Sequence, residues 1–262
     1  MLKGKSAVIY GAGGGIGGAV ARAFAREGAK LFLSGRTLPA VQALASELVE
    51  RGGLAEAAQV DALDERAIER YVASVLEKAG AIDISFSAIS VAKALPDKVP
   101  MVELSAEQFA LPISAYTQSV FLTARSAART MIAKRSGVIL TISGIPGRIA
   151  VPNVGGSGPA YAGVEALSRS LSAELAPHGV RVVCLMPHAI PETETIRENF
   201  ARYAKAAGCS PAEYQARFEA MTHLGRLTTL AELGNTAAFM ASDQASAITG
   251  TVVNLSGGGA PG

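Results

Sequence analysis

Cysteine is scarce in this 262-residue sequence: Cys184 and Cys209 are the only two, with neither a CxxC spacing nor a paired framework. That usage argues against a disulfide scaffold and for a reduced compartment. An excess of either charge is also missing. Lys+Arg number 24 and Asp+Glu 22, a net charge of +2, and no basic cluster gathers on one predicted face, so nucleic acid is not expected as a partner. No apolar run approaches the roughly 18 residues of a membrane span. The N-terminal stretch MLKGKSAVIYGAGG has no apolar signal region, so a cytoplasmic protein without a membrane partner is expected. His178 and His223 stand far apart near predicted loops, without metal-ligand spacing, and no metal is expected.

What is present is a globular composition, 49% hydrophobic and 18% charged, long enough for one sizeable α/β domain. Neither an internal repeat nor a low-complexity linker divides it. Strands and helices take turns. Residues 5–10 form a short apolar run, followed by a glycine-rich turn and GGAVARAFAREGAK, whose apolar residues recur at helical spacing up to Gly28. Strand LFLSG, helix LPAVQALASELVERGG, strand LAEAAQV, helix DERAIERYVASVLEKAG and strand IDISFSAI continue the pattern, and VILTIS, SGPAYAGVEALSRSLSAEL and VRVVCLM extend it. Such alternation predicts a mostly parallel sheet with helices on both faces, because parallel strands need crossover connections.

The turn after the first strand reads GAGGGIG, from Gly11 through Gly14, Gly15 and Ile16 to Gly17. Gly11 suits a tight turn, Gly15 lets backbone approach a pyrophosphate, and Gly17 permits close helix packing, while the helix N-terminus offers N–H donors. The alternative is a merely flexible turn. The second strand ends in SGRT, with no acidic residue to bond a ribose 2′-hydroxyl; the Arg36 guanidinium suits a 2′-phosphate, so NADP, as NADPH, is preferred over NADH. A solvated surface arginine is the alternative.

The glycine loop, Asp61 after the third strand, IDI before the fourth, and HLGRLTTLAELGNTAAFMASDQASAITGTVVNLSGGG at the end together resemble the short-chain dehydrogenase/reductase family along the whole chain. The resemblance implies a single Rossmann domain, a doubly wound seven-stranded parallel sheet, spanning 1–262, and a homotetramer or dimer, with a homologous subunit as another partner to consider. It implies that Asp61 accepts from the adenine amino group beside the backbone of Ala62; a helix cap or loop carboxylate is the alternative for Asp61. It places Ser87, Ala88, Ile89 and Ser90 at the family's Asn-Asn-Ala-Gly, and Pro187, His188 and, further on, Ile190 along the cofactor after the sixth strand.

The same resemblance implies that the family's catalytic set is rewritten. Matching VEALSRSLSAEL without gaps puts Ser157 at the tyrosine position and Tyr161 at the lysine position; the register that would pair Tyr161 and Glu165 with them fails downstream. Gly144 falls at the serine position, with Ser143 one place early, and Tyr116 falls at the asparagine position. The usual acid is a phenol whose pKa a nearby ammonium lowers from about 10, and that pair is lost. Tyr161 lies one turn beyond Ser157 on the same helix face, Tyr116 can reach the cavity from the preceding helix, and His188 offers a group that titrates near neutrality. Each has a plainer reading: Ser157 or Gly158 as cap with Pro159 at the first helical position, and packing roles for Tyr161, Tyr116 and His188. Pro112 should kink or restart its helix at about 3 kcal/mol.

Residues 189–222, where the family keeps a mobile substrate lid, read as two short amphipathic helices. Their Phe200, Tyr203, Tyr214 and Phe218 suit either a pocket wall or a core. The expected function is an atypical NADP(H)-dependent oxidoreductase acting on a carbonyl or activated double bond of a small to medium substrate. An NADP(H)-binding protein without turnover, as sensor or silent subunit, is the alternative, with a non-redox lyase or isomerase third.

Overall fold

The computed structural model describes residues 1–90 and 99–261. The amino-terminal half runs β1 (Ser6–Tyr10), α1 (Gly15–Arg26), β2 (Lys30–Gly35), α2 (Leu38–Glu50), β3 (Leu54–Gln59), α3 (Glu65–Ala79) and β4 (Ile84–Ser87). It continues with α4 (Ala106–Lys134), β5 (Gly137–Ile142), α5 (Ser157–Leu175), β6 (Val180–Pro187), α6 (Glu194–Ala206), α7 (Pro211–Glu219), α8 (Leu230–Ala241) and β7 (Thr251–Leu255). The strands form one seven-stranded parallel sheet in the order β3-β2-β1-β4-β5-β6-β7. The chain winds outward from β1 to β3, then returns to the other side of β1 at β4. Loops leaving β1 and β4 therefore diverge, opening a crevice at the carboxyl ends where ligands of such sheets bind.

Alternation along each strand divides the core into two layers. Ala7 and Ile9 of β1, with Leu31, Leu33 and Phe86, pack against α1, α2 and α8 through Val20, Phe24, Leu44 and Leu233. Val8 and Tyr10 point the other way, joining Phe32 and Ile139 against Ile68 and Val75 of α3 and Met131 of α4. Strands covered on both faces need no polar side, which explains the near-continuous apolar runs in the sequence.

Helix ends follow local chemistry. The Asp64 carboxylate accepts from the Ala67 N–H at the head of α3, and Gly80, at φ 75°, closes the helix in the left-handed region. Reciprocal Ser105–Gln108, Ser210–Glu213 and Thr229–Glu232 capping boxes open α4, α7 and α8. Pro112 departs from expectation, because α4 runs unbroken through it. The proline removes one hydrogen bond in the second turn, and its buried ring packs on the head of α5: a Cβ on Gly156 would lie 2.9 Å from Pro112 Cγ. That tertiary contact holds the helix where local propensity opposes it.

Candidate active site

The glycine loop meets the crevice. Gly11 has φ 73°, and a Cβ there would sit 2.5 Å from the Ala88 carbonyl oxygen at the end of β4. A Cβ on Gly17 would lie 2.3 Å from the Gly11 oxygen, so both positions are closed to side chains. α1 starts with Gly14 as cap, no side-chain cap bond and no acidic residue in its first turn. Its first N–H groups are therefore left for an anion, as a pyrophosphate requires. At Gly15 the neighbour is protein: a Cβ would meet Thr193 Cγ2 at 3.0 Å. Thr193, absent from the sequence-derived set, donates its hydroxyl to the Ile190 carbonyl at 2.8 Å and accepts from the Ile196 N–H at 3.4 Å as the cap of α6. Its signal was a threonine ahead of an amphipathic helix with an acid in the first turn.

At the other end of the loop, Arg36 is exposed just past β2, and its carbonyl accepts from Gln59 Nε2 at 3.0 Å. Asp61 is exposed and bonds the Leu63 N–H at 3.0 Å, leaving the cap of α3 to Asp64; Ala62 is buried beside it. The Ser87 hydroxyl, at the end of β4, is buried without a protein partner.

A cavity of about 370 Å³ joins this loop to the ends of β5 and β6. Gly14, Gly15 and Ile16 form one wall, and Ser143, Ser157, Tyr161 and His188 belong to the rest; Tyr116, Pro187, Ala88 and Ile190 also border it. The sequence-derived site residues other than Gly11, Gly17, Arg36, Asp61, Ala62 and Ser87 thus share one enclosure. Helices α6 and α7 contribute Phe200, Tyr203 and Phe218, while Tyr214 packs beside them, its ring centroid 5.7 Å from Phe200 and 5.4 Å from Phe218. The pocket-wall and core readings of those aromatics are both realised.

Tyr116 and Tyr161 converge, their ring centroids 5.4 Å apart and tilted by 32°. The neighbouring Tyr116, burial and a phenol–phenol hydrogen bond together push the Tyr161 hydroxyl well above its ordinary pKa. An ammonium would move it the other way. Gly144 belongs to the same arrangement, since a Cβ there would press on Tyr161 Cε2 at 3.1 Å. A side chain at 144 and the ring at 161 compete for one space.

Ser157 does not cap α5. It is the first helical residue, Gly156 precedes it as cap without a side-chain bond, and Pro159 is third rather than first. The backbone rather than a hydroxyl starts the helix, with the Ser157 N–H donating to the Val154 carbonyl at 3.1 Å. Ser143 donates its hydroxyl to Glu165 Oε1 at 3.0 Å, and Arg148 Nε donates to Glu165 Oε2 at 2.6 Å. Glu165 is 3% exposed. The buried carboxylate, which sequence reasoning considered only as a misaligned lysine, ties α5 to the loop after β5. Its ligand-like partner, Ser143, retains only acceptor lone pairs for the cavity.

His188 also differs from expectation. Its Nδ1 accepts from the Ala189 N–H at 2.7 Å, Nε2 is buried without a partner, and the ring stands edge-on to Phe218 with centroids 5.9 Å apart. Burial lowers its pKa to about 4, so it is neutral at pH 7 and does not titrate near neutrality. Among the described residues, no group of three or more His, Cys, Asp and Glu could hold a metal ion, and no helix is long and apolar enough to cross a membrane.

Residues 11–259 match the family model described as enoyl-(acyl carrier protein) reductase. Sorbitol dehydrogenase of Cereibacter sphaeroides is 31% identical over 258 residues, covering 98% of both chains. Among solved structures, levodione reductase superposes with a TM-score of 0.91 at 26% identity, covering 98% of each chain. An actinorhodin polyketide ketoreductase variant with NADPH gives 0.90 at 25% identity, covering 99% of each. A glycine loop opening α1 at the end of a doubly wound sheet, a cavity beside it and matches along nearly the whole chain place this protein in the short-chain dehydrogenase/reductase family of oxidoreductases.

Proposed function

We propose that the protein is an atypical NADPH-dependent reductase of that family, whose substrate is a small to medium molecule with a carbonyl or a double bond activated by one. The observation carrying this reading is the single cavity in which the N-terminus of α1 and the Tyr116–Tyr161 pair share one enclosure. The residues fit a dinucleotide: Gly11 and Gly17 admit no side chain, α1 presents uncapped N–H groups, and Arg36 is exposed at the tip of β2 to meet a 2′-phosphate. NADPH, when bound, supplies hydride to the substrate.

The chain's own residues then handle the oxygen that gains charge. A phenol that gave up its proton fully would become a buried phenolate with no ammonium beside it, because Tyr161 itself stands at the family's lysine position and Ser157 at its tyrosine position. The neighbouring Tyr116 and burial, which raise the Tyr161 pKa, express that penalty. The paired phenols are better suited to hydrogen-bond an enolate oxygen without transferring the proton, while water later protonates carbon. The site therefore favours a conjugated double bond over an isolated ketone. The lid aromatics Phe200 and Phe218 exclude water from the apolar part of the substrate. A dimer or tetramer is the assembly this reading carries, in the cytoplasm.

The test is NADPH oxidation with 2-cyclohexenone against cyclohexanone, after calorimetry with NADPH and NADH. Turnover of the enone in preference to the ketone is expected, and Tyr161→Phe should lower it about tenfold, in line with loss of one charge-stabilising donor. Failure to bind either dinucleotide would refute the reading.

A further inference from the structure

We propose that His188 is a ligand-binding hydrogen-bond donor whose Nε2–H receives an acceptor oxygen of the bound molecules. The proposal deepens, and rests on, the reductase reading. Its geometry begins with the other nitrogen. Nδ1 accepts the Ala189 N–H at 2.7 Å, so it carries no proton, and in the neutral ring the proton must sit on Nε2. The backbone thereby fixes the tautomer.

His188 is 4% exposed, and its Nε2 is buried with no hydrogen-bond partner. A buried donor left unmade is costly, and such groups in native proteins ordinarily signal a ligand, water or functional role. The surroundings leave little else for it to do. Phe218 presents an apolar edge from the lid, and Gly259 of the carboxyl-terminal tail approaches so closely that a Cβ there would lie 2.9 Å from His188 Cδ2 and 3.3 Å from Nε2. Glycine at 259 therefore leaves the room the ring occupies. His188 borders the same cavity as Tyr161 and Ile190, and an oxygen of a molecule bound there is the acceptor this proposal assigns to it.

Neutral imidazole suits the task. It donates without adding a charge to an apolar enclosure, and it polarises an oxygen without delivering a proton at neutral pH, which leaves the proton-transfer argument for the phenols intact. Two oxygens share the required chemistry: the carboxamide oxygen of the nicotinamide and the carbonyl oxygen of the substrate.

The experiment uses the full chain, with nitrogen-15 imidazole spectra and calorimetry for NADPH, then for 2-cyclohexenone added to the NADP⁺ complex. His188→Gln, which keeps a terminal N–H donor, assigns the resonance and guards against a folding artefact in His188→Leu. A downfield move of the Nε2 proton with NADPH, an about tenfold affinity loss in His188→Leu and its recovery in His188→Gln would identify the carboxamide as acceptor. The same pattern seen only with the enone, NADPH affinity being kept, would identify the substrate oxygen. If both ligands bind without moving the His188 resonance of the unaltered chain, and both affinities are unchanged in His188→Leu, the proposal is overturned. Absence of NADPH binding to the unaltered chain refutes the reductase reading separately; 2-cyclohexenone added to the free chain then decides on His188, and an unmoved resonance there overturns the proposal as well.

Discussion

His188 carries a pH signature that its sequence position alone did not suggest. Its folded pKa of about 4 lies below the unfolded value near 6.5, so the unfolded chain binds the proton more readily. Stability from this group is therefore present above the unfolded pKa and is lost as pH falls through the folded one. Acidification from about 6.5 to 4 should cost up to roughly 3 kcal/mol from this residue. Urea unfolding across that window should show a shallower pH dependence in His188→Gln, and an identical slope would show that other groups govern it. Arg36 gives a second residue-scale outcome. Arg36→Ala should weaken NADPH about tenfold or more while leaving NADH within about twofold, as loss of a charge-assisted pair requires; equal weakening of both in calorimetry would remove the 2′-phosphate assignment. The exposed place of Arg36 past β2 was legible in the sequence because a single side chain after a strand end is placed by the strand. The neutrality of His188 was not, because it depends on Phe218 and the carboxyl-terminal tail.

Helix α5 shows how an element can keep its path while its chemistry changes. Its apolar spacing and the sequence match imply a register with Tyr161 at the lysine position; in the fold Tyr161 borders the cavity and Glu165 is buried. What local reasoning misread was its start. Ser157 and Pro159 look like cap and first helical residue, yet the packing of Gly156 on Pro112 and the Phe109 carbonyl draws the helix back to begin at Ser157. The same α4–α5 contact keeps Pro112 inside an unbroken helix. Glu165, one turn beyond Tyr161, clamps Arg148 and Ser143 from within the protein. Glu165→Ala leaves a partly buried guanidinium and a serine donor without their acceptor, and should cost about 3 kcal/mol in urea unfolding, against about 1 for Glu165→Gln. Equal, small losses would mean that water replaces the carboxylate. Gly144→Ser, which presses on the Tyr161 ring, should perturb the Tyr161 resonances more than the stability of distant strands.

On the scale of the whole molecule, the cofactor crevice is built from parts far apart in sequence: the loop after β1, the end of β4 and the cap of α6. Binding there should stabilise the folded chain as a unit. NADPH at a hundred times its Kd is expected to add about 2.7 kcal/mol, raising Tm by roughly 5–10 °C for a chain of this size. No shift in a thermal melt at that concentration would contradict binding to the native state. Thr193 against Gly15 ties the head of α6 to the glycine loop.

The sequence by itself determined the alternation of strands and helices, the parallel sheet and the place of the glycine loop, because apolar periodicity, glycines and caps act over a few residues and leave one economical topology. It also determined that Tyr161 and Ser157 lie on one helix face. Only the tertiary structure decided that Tyr116 and Tyr161 form a pair, that Glu165 holds Ser143 and Arg148, that Thr193 rests on Gly15, and that His188 keeps an unpartnered N–H. The physical reason is common to all four. Proton affinity, tautomer and hydrogen-bond direction depend on burial and on neighbours brought together by the crossover connections of the sheet, and local sequence specifies neither.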